Sequence, residues 1–465
     1  MTFLLIFLPA VTFAYYIPDL LKRKKNLTGY KNALLCAASL IFYAWGEPLN
    51  IVLMLISICF NYFIGLDMDS HSDNKKHRKY LMIAAVVFNI GMLGFFKYSG
   101  FVFESFKSAF GFEADFSKPS LPIGISFYTF QILSYVIDVY KNNVSVQKNP
   151  VDFALYISMF PQLIAGPIVQ YSVIEKQLAQ RSESPALIAK GIYLFTLGLA
   201  QKAILANAAG SVYEELTAIG FDSLSALGAW SAVIFFAFQI YFDFSGYSDM
   251  AKGLGFIFGF EFPQNFNYPY TADSITDFWR RWHITLSSWF RDYVYIPLGG
   301  SRCSKARNIF NLFAVWALTG LWHGASWNFV LWGIYFFVLL VLEKFVFADI
   351  IKNLPKAVRH TVTLILILFG WVIFANESLG DIGSFISCMF GANSESDGMS
   401  VYIVLSNIFM LIVMAAFSTP IFGLKKKQDD TNITAGKLAV TVVLLAVSFV
   451  CLIGDTYNPF LYFRF

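Results

Sequence analysis

The sequence predicts an all-α protein that threads repeatedly through a lipid bilayer, and three observations carry that expectation. Of its 465 residues, 57% are hydrophobic and only 14% are charged, against about 25% charged in an ordinary soluble domain. Mean hydropathy is +0.59. Charge-free apolar windows recur from end to end, at 1–18, 32–46, 49–66, 80–96, 121–137, 153–174, 223–242, 308–342, 361–376, 399–424 and 438–454. Such a chain is neither a secreted nor a cytosolic enzyme. Lipid offers no partner to an open backbone N–H or C=O, and the alternation of a barrel strand is absent, so the windows are expected to be helices. A further helix over 187–208 carries Lys202. At roughly 20 residues per crossing, 11 to 13 spans are expected, about 11 transmembrane helices with re-entrant and interfacial helices beside them.

Taken in order, the first window lacks a basic leader and a cleavage site, which makes it a retained anchor rather than a signal peptide. It is followed by Lys22, Arg23, Lys24 and Lys25. The positive-inside rule then places the N-terminus outside, and puts Lys75, Lys76, Arg78 and Lys79, and Lys425, Lys426 and Lys427, on the cytoplasmic side. The stretch 377–398 lacks Lys and Arg and carries Glu377, Asp381, Glu395 and Asp397, so it is expected outside. Pro161, Gln162, Gly166, Pro167 and Gln170 interrupt the window 153–174, which favours a broken segment over a straight span. The window 223–242 should stop at Asp243, Ser245, Tyr247, Ser248 and Asp249, a polar cluster suited equally to capping, to bonding within the bundle or to substrate contact.

The longest connection, 243–307, is basic through Arg280, Arg281, Arg291, Arg302, Lys305 and Arg307, yet crowded with aromatic residues. That pairing suits short interfacial or re-entrant helices. The window 308–342 is too long for one crossing and too short for two. Its turn falls at Gly320-Leu321-Trp322-His323-Gly324-Ala325-Ser326-Trp327-Asn328. A first limb of 308–322 would rise about 22 Å, short of the roughly 30 Å hydrocarbon core, placing His323 inside the membrane. No internal repeat or appended soluble domain is visible, so the chain is expected to be a single membrane-embedded domain, residues 1–465.

The net charge of +4 is mild and nucleic acid is not an expected partner. Five cysteines stand singly, and neither a disulfide framework nor a metal site is expected from them. Of the five histidines, His71, His77 and His360 read as ordinary loop or helix-entrance residues. His283 and His323 lie among aromatics. An ionisable group inside a span is costly and marks a functional site by default. Imidazole suits proton transfer, and an apolar setting of Trp322, Trp327 and Trp332 favours its neutral, base-competent form, so His323 is the candidate general base. Arg280, Arg281 and Arg291 read either as snorkelling residues of an interfacial helix or as a clamp for the phosphates of a nucleotide-bearing donor, with His283 orienting the thioester or supporting His323. Trp282, Asp249 and Asn328 are further candidates for substrate or donor contact.

Five ordered motifs carry a resemblance: Phe160-Pro161-Gln162-Leu163-Ile164-Ala165-Gly166-Pro167-Ile168, Phe242-Asp243-Phe244-Ser245-Gly246-Tyr247-Ser248-Asp249-Met250, Phe278-Trp279-Arg280-Arg281-Trp282-His283, Tyr295-Ile296-Pro297-Leu298-Gly299-Gly300 and Leu321-Trp322-His323-Gly324-Ala325. Together they resemble the membrane-bound O-acyltransferase family, and within it the membrane subunits of bacterial alginate and peptidoglycan O-acetyltransferases. The likeness is strongest over about 120–345, with 1–119 and 346–465 peripheral. It implies a helical bundle around a central tunnel, His323 as the catalytic histidine and His283 as a second functional position. It also implies acetyl transfer from a cytoplasmic thioester, acetyl-CoA or another acyl donor, to a polysaccharide outside a bacterial inner membrane. No resident cofactor or metal is implied, and an extracytoplasmic acetyltransferase partner is expected. Two other readings stay open: D-alanyl transfer to teichoic acid, and a transporter or flippase, although inverted repeats are not found.

Overall fold

The computed structural model describes residues 2–21, 27–111, 114–392, 397–422 and 434–454. Lys22, Arg23, Lys24, Lys25, Glu395, Lys425, Lys426 and Lys427, which orient the chain by charge, lie outside the described residues. Those described form helices joined by loops, in two compact units: residues 1–192 with 251–263, and residues 193–250 with 264–465.

In the first unit, α1 (Leu8–Leu20), α2 (Thr28–Gly46), α3 (Ile51–Ser70), α4 (Lys75–Phe110) and α5 (Ile125–Tyr140) are followed by two nine-residue helices, α6 (Pro150–Ser158) and α7 (Tyr171–Ala179). Helix α5 is buried at every position except Ile137 and Tyr140. Buried amides join α3 to α4: Asn89 Nδ2 donates to Asn61 Oδ1 at 2.8 Å and Asn61 Nδ2 to Asn89 Oδ1 at 3.2 Å. Such reciprocal bonding satisfies polar groups that lipid would leave unpaired. The window 153–174 is broken, as its prolines and glycine require. At Gly166 a Cβ would lie 2.5 Å from the Gln162 Cα.

Helices α8 (Pro185–Ala200) and α10 (Ala226–Ile257) contribute residues to both units. Between them a π-helical turn (Gln201–Ala206) leads into α9 (Asn207–Thr217). The remainder of the second unit holds the short α11 (Ile275–Arg281) and α12 (Ile284–Phe290), then α13 (Lys305–His323), α14 (Trp327–Phe345), α15 (Ala348–Asn353), α16 (Lys356–Ala375), α17 (Leu379–Met389), α18 (Gly398–Ser406), α19 (Ile408–Phe417) and α20 (Ala435–Gly454). Its core is aromatic: Trp279 packs against Trp316 at 4.7 Å and Phe336 at 4.9 Å between ring centroids, and Trp282 against Trp371 at 4.9 Å.

Among the described residues eight helices are long and apolar enough to cross a membrane, or nine if the α18–α19 pair, bent by 54°, is one broken span. This is fewer than the 11 expected. Helix α5 has 16 residues and rises only about 24 Å, 153–174 splits in two, and α13 opens on Lys305, Arg307 and two asparagines. Helix α13 is also longer than the predicted limb. Its 19 residues rise about 28 Å, so the depth of His323 no longer follows from limb length. The largest departure is α10, which runs straight through the polar cluster where the sequence suggests a stop.

Candidate active site

Tight packing of α13 on α14 sets the position of His323. A Cβ at Gly333 would lie 2.5 Å from the Trp316 carbonyl oxygen, and one at Gly320 would collide with that of Phe329. His323 is the last residue of α13 and is 8% exposed. Its ring meets Trp332 at 4.9 Å, Trp322 at 5.1 Å, Phe374 at 5.3 Å and Phe329 at 6.5 Å between centroids. Trp327 is 55% exposed, so the aromatic box expected from three tryptophans is instead built from two, with Phe329 and Phe374. Gly324 follows His323 because a Cβ there would overlap the Phe329 ring. Asn328 accepts from the Ser326 hydroxyl and donates to the carbonyls of Ile373 and Phe374 at 3.3 and 3.2 Å. Its amide therefore ties the turn to the end of α16, where helix carbonyls lack intrahelical partners.

His283 is 2% exposed and lies between α11 and α12, two seven-residue helices outside the spanning segments. Its φ of 45° is left-handed, a region that non-glycine residues seldom occupy and that concentrates at functional sites. The surroundings impose it: Asn267 N donates to Arg281 O and Ile284 N to Asn265 O, both at 2.9 Å, clamping the chain on either side. Asn265 Oδ1 accepts the backbone N–H of Thr285 at 3.2 Å and its hydroxyl at 2.9 Å. That atom is thus an acceptor, and His283 Nδ1, 3.2 Å from it, must carry the proton. Burial pushes the His283 pKa well below its ordinary value, which selects the neutral ring. The Nε2 atom then holds a lone pair. It is buried and without a hydrogen-bond partner among the described residues. One indole, Trp322, contacts both imidazoles, at 5.7 Å from His283 and 5.1 Å from His323.

The polar cluster on α10 is engaged within the bundle. Lys202 Nζ lies 2.5 Å from Asp243 Oδ1, Gln201 donates to Asp249 at 2.9 Å and accepts from Ser245 at 2.5 Å, and Asn265 Nδ2 donates to Ser248 at 3.2 Å. The three arginines have separate surroundings. Arg281 pairs with Asp277 at 2.9 Å, Arg291 with Asp292 at 2.8 Å, and Arg280 is exposed. Trp282 is buried against Phe278 and Trp371. His360 Nδ1 lies 2.8 Å from the carbonyl of Ala272. Sequence reasoning missed Asn265, whose only signal is an amide flanked by Phe262 and Phe266, and Glu343, which accepts from the N–H groups of Ile275 and Thr276 at the start of α11.

The helical, membrane-spanning architecture and the two buried imidazoles on one indole define a polytopic membrane protein with an internal site able to hold a proton. Residues 141–379 match the MBOAT, membrane-bound O-acyltransferase family. The chain belongs to that family and is a membrane O-acyltransferase. It is 34% identical to a probable alginate O-acetylase AlgI of Azotobacter vinelandii, covering 100% of this chain and 99% of that protein. It is 32% identical to a peptidoglycan O-acetyltransferase of Helicobacter pylori, covering 100% and 96%. A teichoic acid D-alanyltransferase of Bacillus subtilis is 31% identical over 54% of this chain and 67% of its own length.

Proposed function

We propose that this protein moves acetyl groups from a cytoplasmic thioester, with acetyl-CoA the first candidate, to hydroxyls of a polysaccharide outside the inner membrane of a bacterium, directly or through an extracytoplasmic transferase partner. The observation that carries the reading is His323, a buried imidazole at the end of a tightly packed helical hairpin, in a chain whose whole length aligns with alginate and peptidoglycan O-acetyltransferases. His323 acts as general base. As it draws the proton from an acceptor hydroxyl, the oxygen attacks the thioester carbonyl, the C–O bond forms and the C–S bond breaks. The proton then passes to the departing sulfur, which leaves as a thiol. His283, with Nε2 bare, accepts a hydrogen bond that orients the reacting hydroxyl.

Replacing His323 with Ala is expected to abolish ester-linked acetate on the glycan at unchanged protein abundance. Full acetylation in that variant would remove the assignment. D-alanyl transfer is the second reading, since one relative of that activity aligns with about half of the chain. Full-length alignment favours the acetyl branch, and mass analysis of the modified glycan separates the two products.

A further inference from the structure

Away from the buried histidines, three side chains converge at the turn between α3 and α4. Asp67 lies in the last turn of α3 and His71 caps its end, the His71 N–H donating to the Asp67 carbonyl at 3.1 Å, so the two side chains stand one turn apart on the same side. His77 arrives from the first turn of α4, where the Asn74 side chain caps the helix by accepting the His77 N–H at 3.0 Å. His71 Nδ1 lies 2.7 Å from Asp67 Oδ1, His77 Nε2 lies 3.2 Å from Asp67 Oδ2, and the imidazole centroids are 4.5 Å apart. Among the described residues this is the one group in which three His, Cys or carboxylate ligand atoms lie within 4.8 Å of one another. We propose that Asp67, His71 and His77 bind a divalent transition-metal ion, with zinc the best fit, and that the ion clasps the α3–α4 turn.

Two neighbouring imidazoles are aimed at one carboxylate. In the other tautomer each of the two facing nitrogens carries a lone pair, so a divalent ion can take one from each ring and one carboxylate oxygen, leaving a further position for water. Tetrahedral zinc with bonds of about 2.0–2.1 Å holds its ligand atoms roughly 3.3 Å apart; the three ligand atoms here already lie within 4.8 Å of one another, each ring nitrogen 2.7 or 3.2 Å from a carboxylate oxygen. Binding would displace the Ser70 hydroxyl, now 3.0 Å from His71 Nδ1. None of the three side chains is buried, so the ion has access and the ligands can adjust by a few tenths of an ångström. Two nitrogens and one oxygen favour zinc and its neighbours over calcium or magnesium. The sequence conceals the site because the spacing Asp-x3-His-x5-His spans the end of one helix, a short polar turn and the first turn of the next.

The test uses full-length detergent-purified protein with a non-histidine affinity tag, stripped with EDTA. Cobalt is titrated as the visible-absorbing probe, and zinc is then added in competition with a chromophoric chelator. The expected result is one equivalent of zinc per chain, displacing cobalt, with a rise in melting temperature. His71→Ala, His77→Ala and Asp67→Asn should each weaken zinc binding about tenfold or more and lose the melting shift, while Asp69→Asn behaves as wild type. Equal melting of all variants in EDTA verifies that they fold. A wild type that takes up no equivalent of either ion, or variants that bind as tightly as wild type, would overturn the proposal and leave an ion-pair tie between two helices. Because acyl transfer is not read, the outcome is independent of the proposed function.

Discussion

Replacing Asn265 with Ala probes the internal site without touching either histidine. The substitution removes the one oxygen that accepts from His283 Nδ1 and from both the backbone and the hydroxyl of Thr285. A buried donor left without an acceptor costs about 1–3 kcal/mol. If that cost falls on the orientation and tautomer of His283, transfer should slow by roughly 5- to 150-fold at 1.36 kcal/mol per decade. The assay is the initial rate of acetyl transfer to glycan in isolated membranes, normalised to protein abundance. Asn265→Asp restores the acceptor and should recover most of the rate, with a distinct signature. A carboxylate beside His283 favours the imidazolium, opposing the burial that now keeps the ring neutral. Protonation at Nε2 would then occur at higher pH, moving the acid limb of the pH–rate profile upward. A merely structural asparagine would not move that limb. An Asn265→Ala rate within twofold of wild type at equal abundance, or an Asn265→Asp profile superimposable on wild type, would refute the positioning role.

Stability should also depend on pH through His283. Its folded pKa is depressed, so the unfolded chain binds the proton first, and stability is full above about pH 6.5 and falls as pH drops below it. At pH 5 the loss attributable to this ring is about 2 kcal/mol, and His283→Gln should show a flatter melting profile between pH 7 and 5 in detergent. Lys202→Met removes the cation 2.5 Å from Asp243 and should cost about 3–5 kcal/mol; adding Asp243→Leu should recover part of it, and additive losses on thermal melting would exclude coupling. Gly320→Ala drives a methyl into the Phe329 carbonyl across the α13–α14 contact. It should cost about 1–3 kcal/mol and lower transfer through His323 three residues on, whereas unchanged melting would show that the hairpin yields.

The fold class was legible because lipid leaves few options: apolar windows of helical length dictate helices, and the interruptions at Pro161 and Gly324 mark real breaks. Span count was less legible, since hydropathy does not reveal how protein packing shelters α5, nor that α13 begins among charged residues. His323 and His283 stood out as costly groups in apolar surroundings. The packing of Asn328 and Trp282 did not, because side chains that bond across a turn or pack in an aromatic core have the same residue types as those that touch a substrate.

The polar run on α10 shows why local reading fails there and what replaces it. Asp243, Ser245, Ser248 and Asp249 would end an isolated apolar helix, yet α10 continues because its neighbours meet each group. Gly198 and Gly246 allow the backbones to approach so closely that a Cβ on either would strike the other's carbonyl. The π-helical turn at Gln201–Ala206 supplies Gln201 and Lys202 at that level. Ser248 meets Asn265, and Asn265 in turn fixes the His283 tautomer. Residues far apart in sequence thereby meet in two bonded groups, one around Gln201 and Lys202 and one running from Ser248 through Asn265 to His283, whose Nε2 has no hydrogen-bond partner among the described residues. Buried polar groups of this kind are expensive unless satisfied. On the proposed reading, a hydroxyl-bearing substrate that donates to the bare His283 Nε2 would supply the bond this nitrogen lacks.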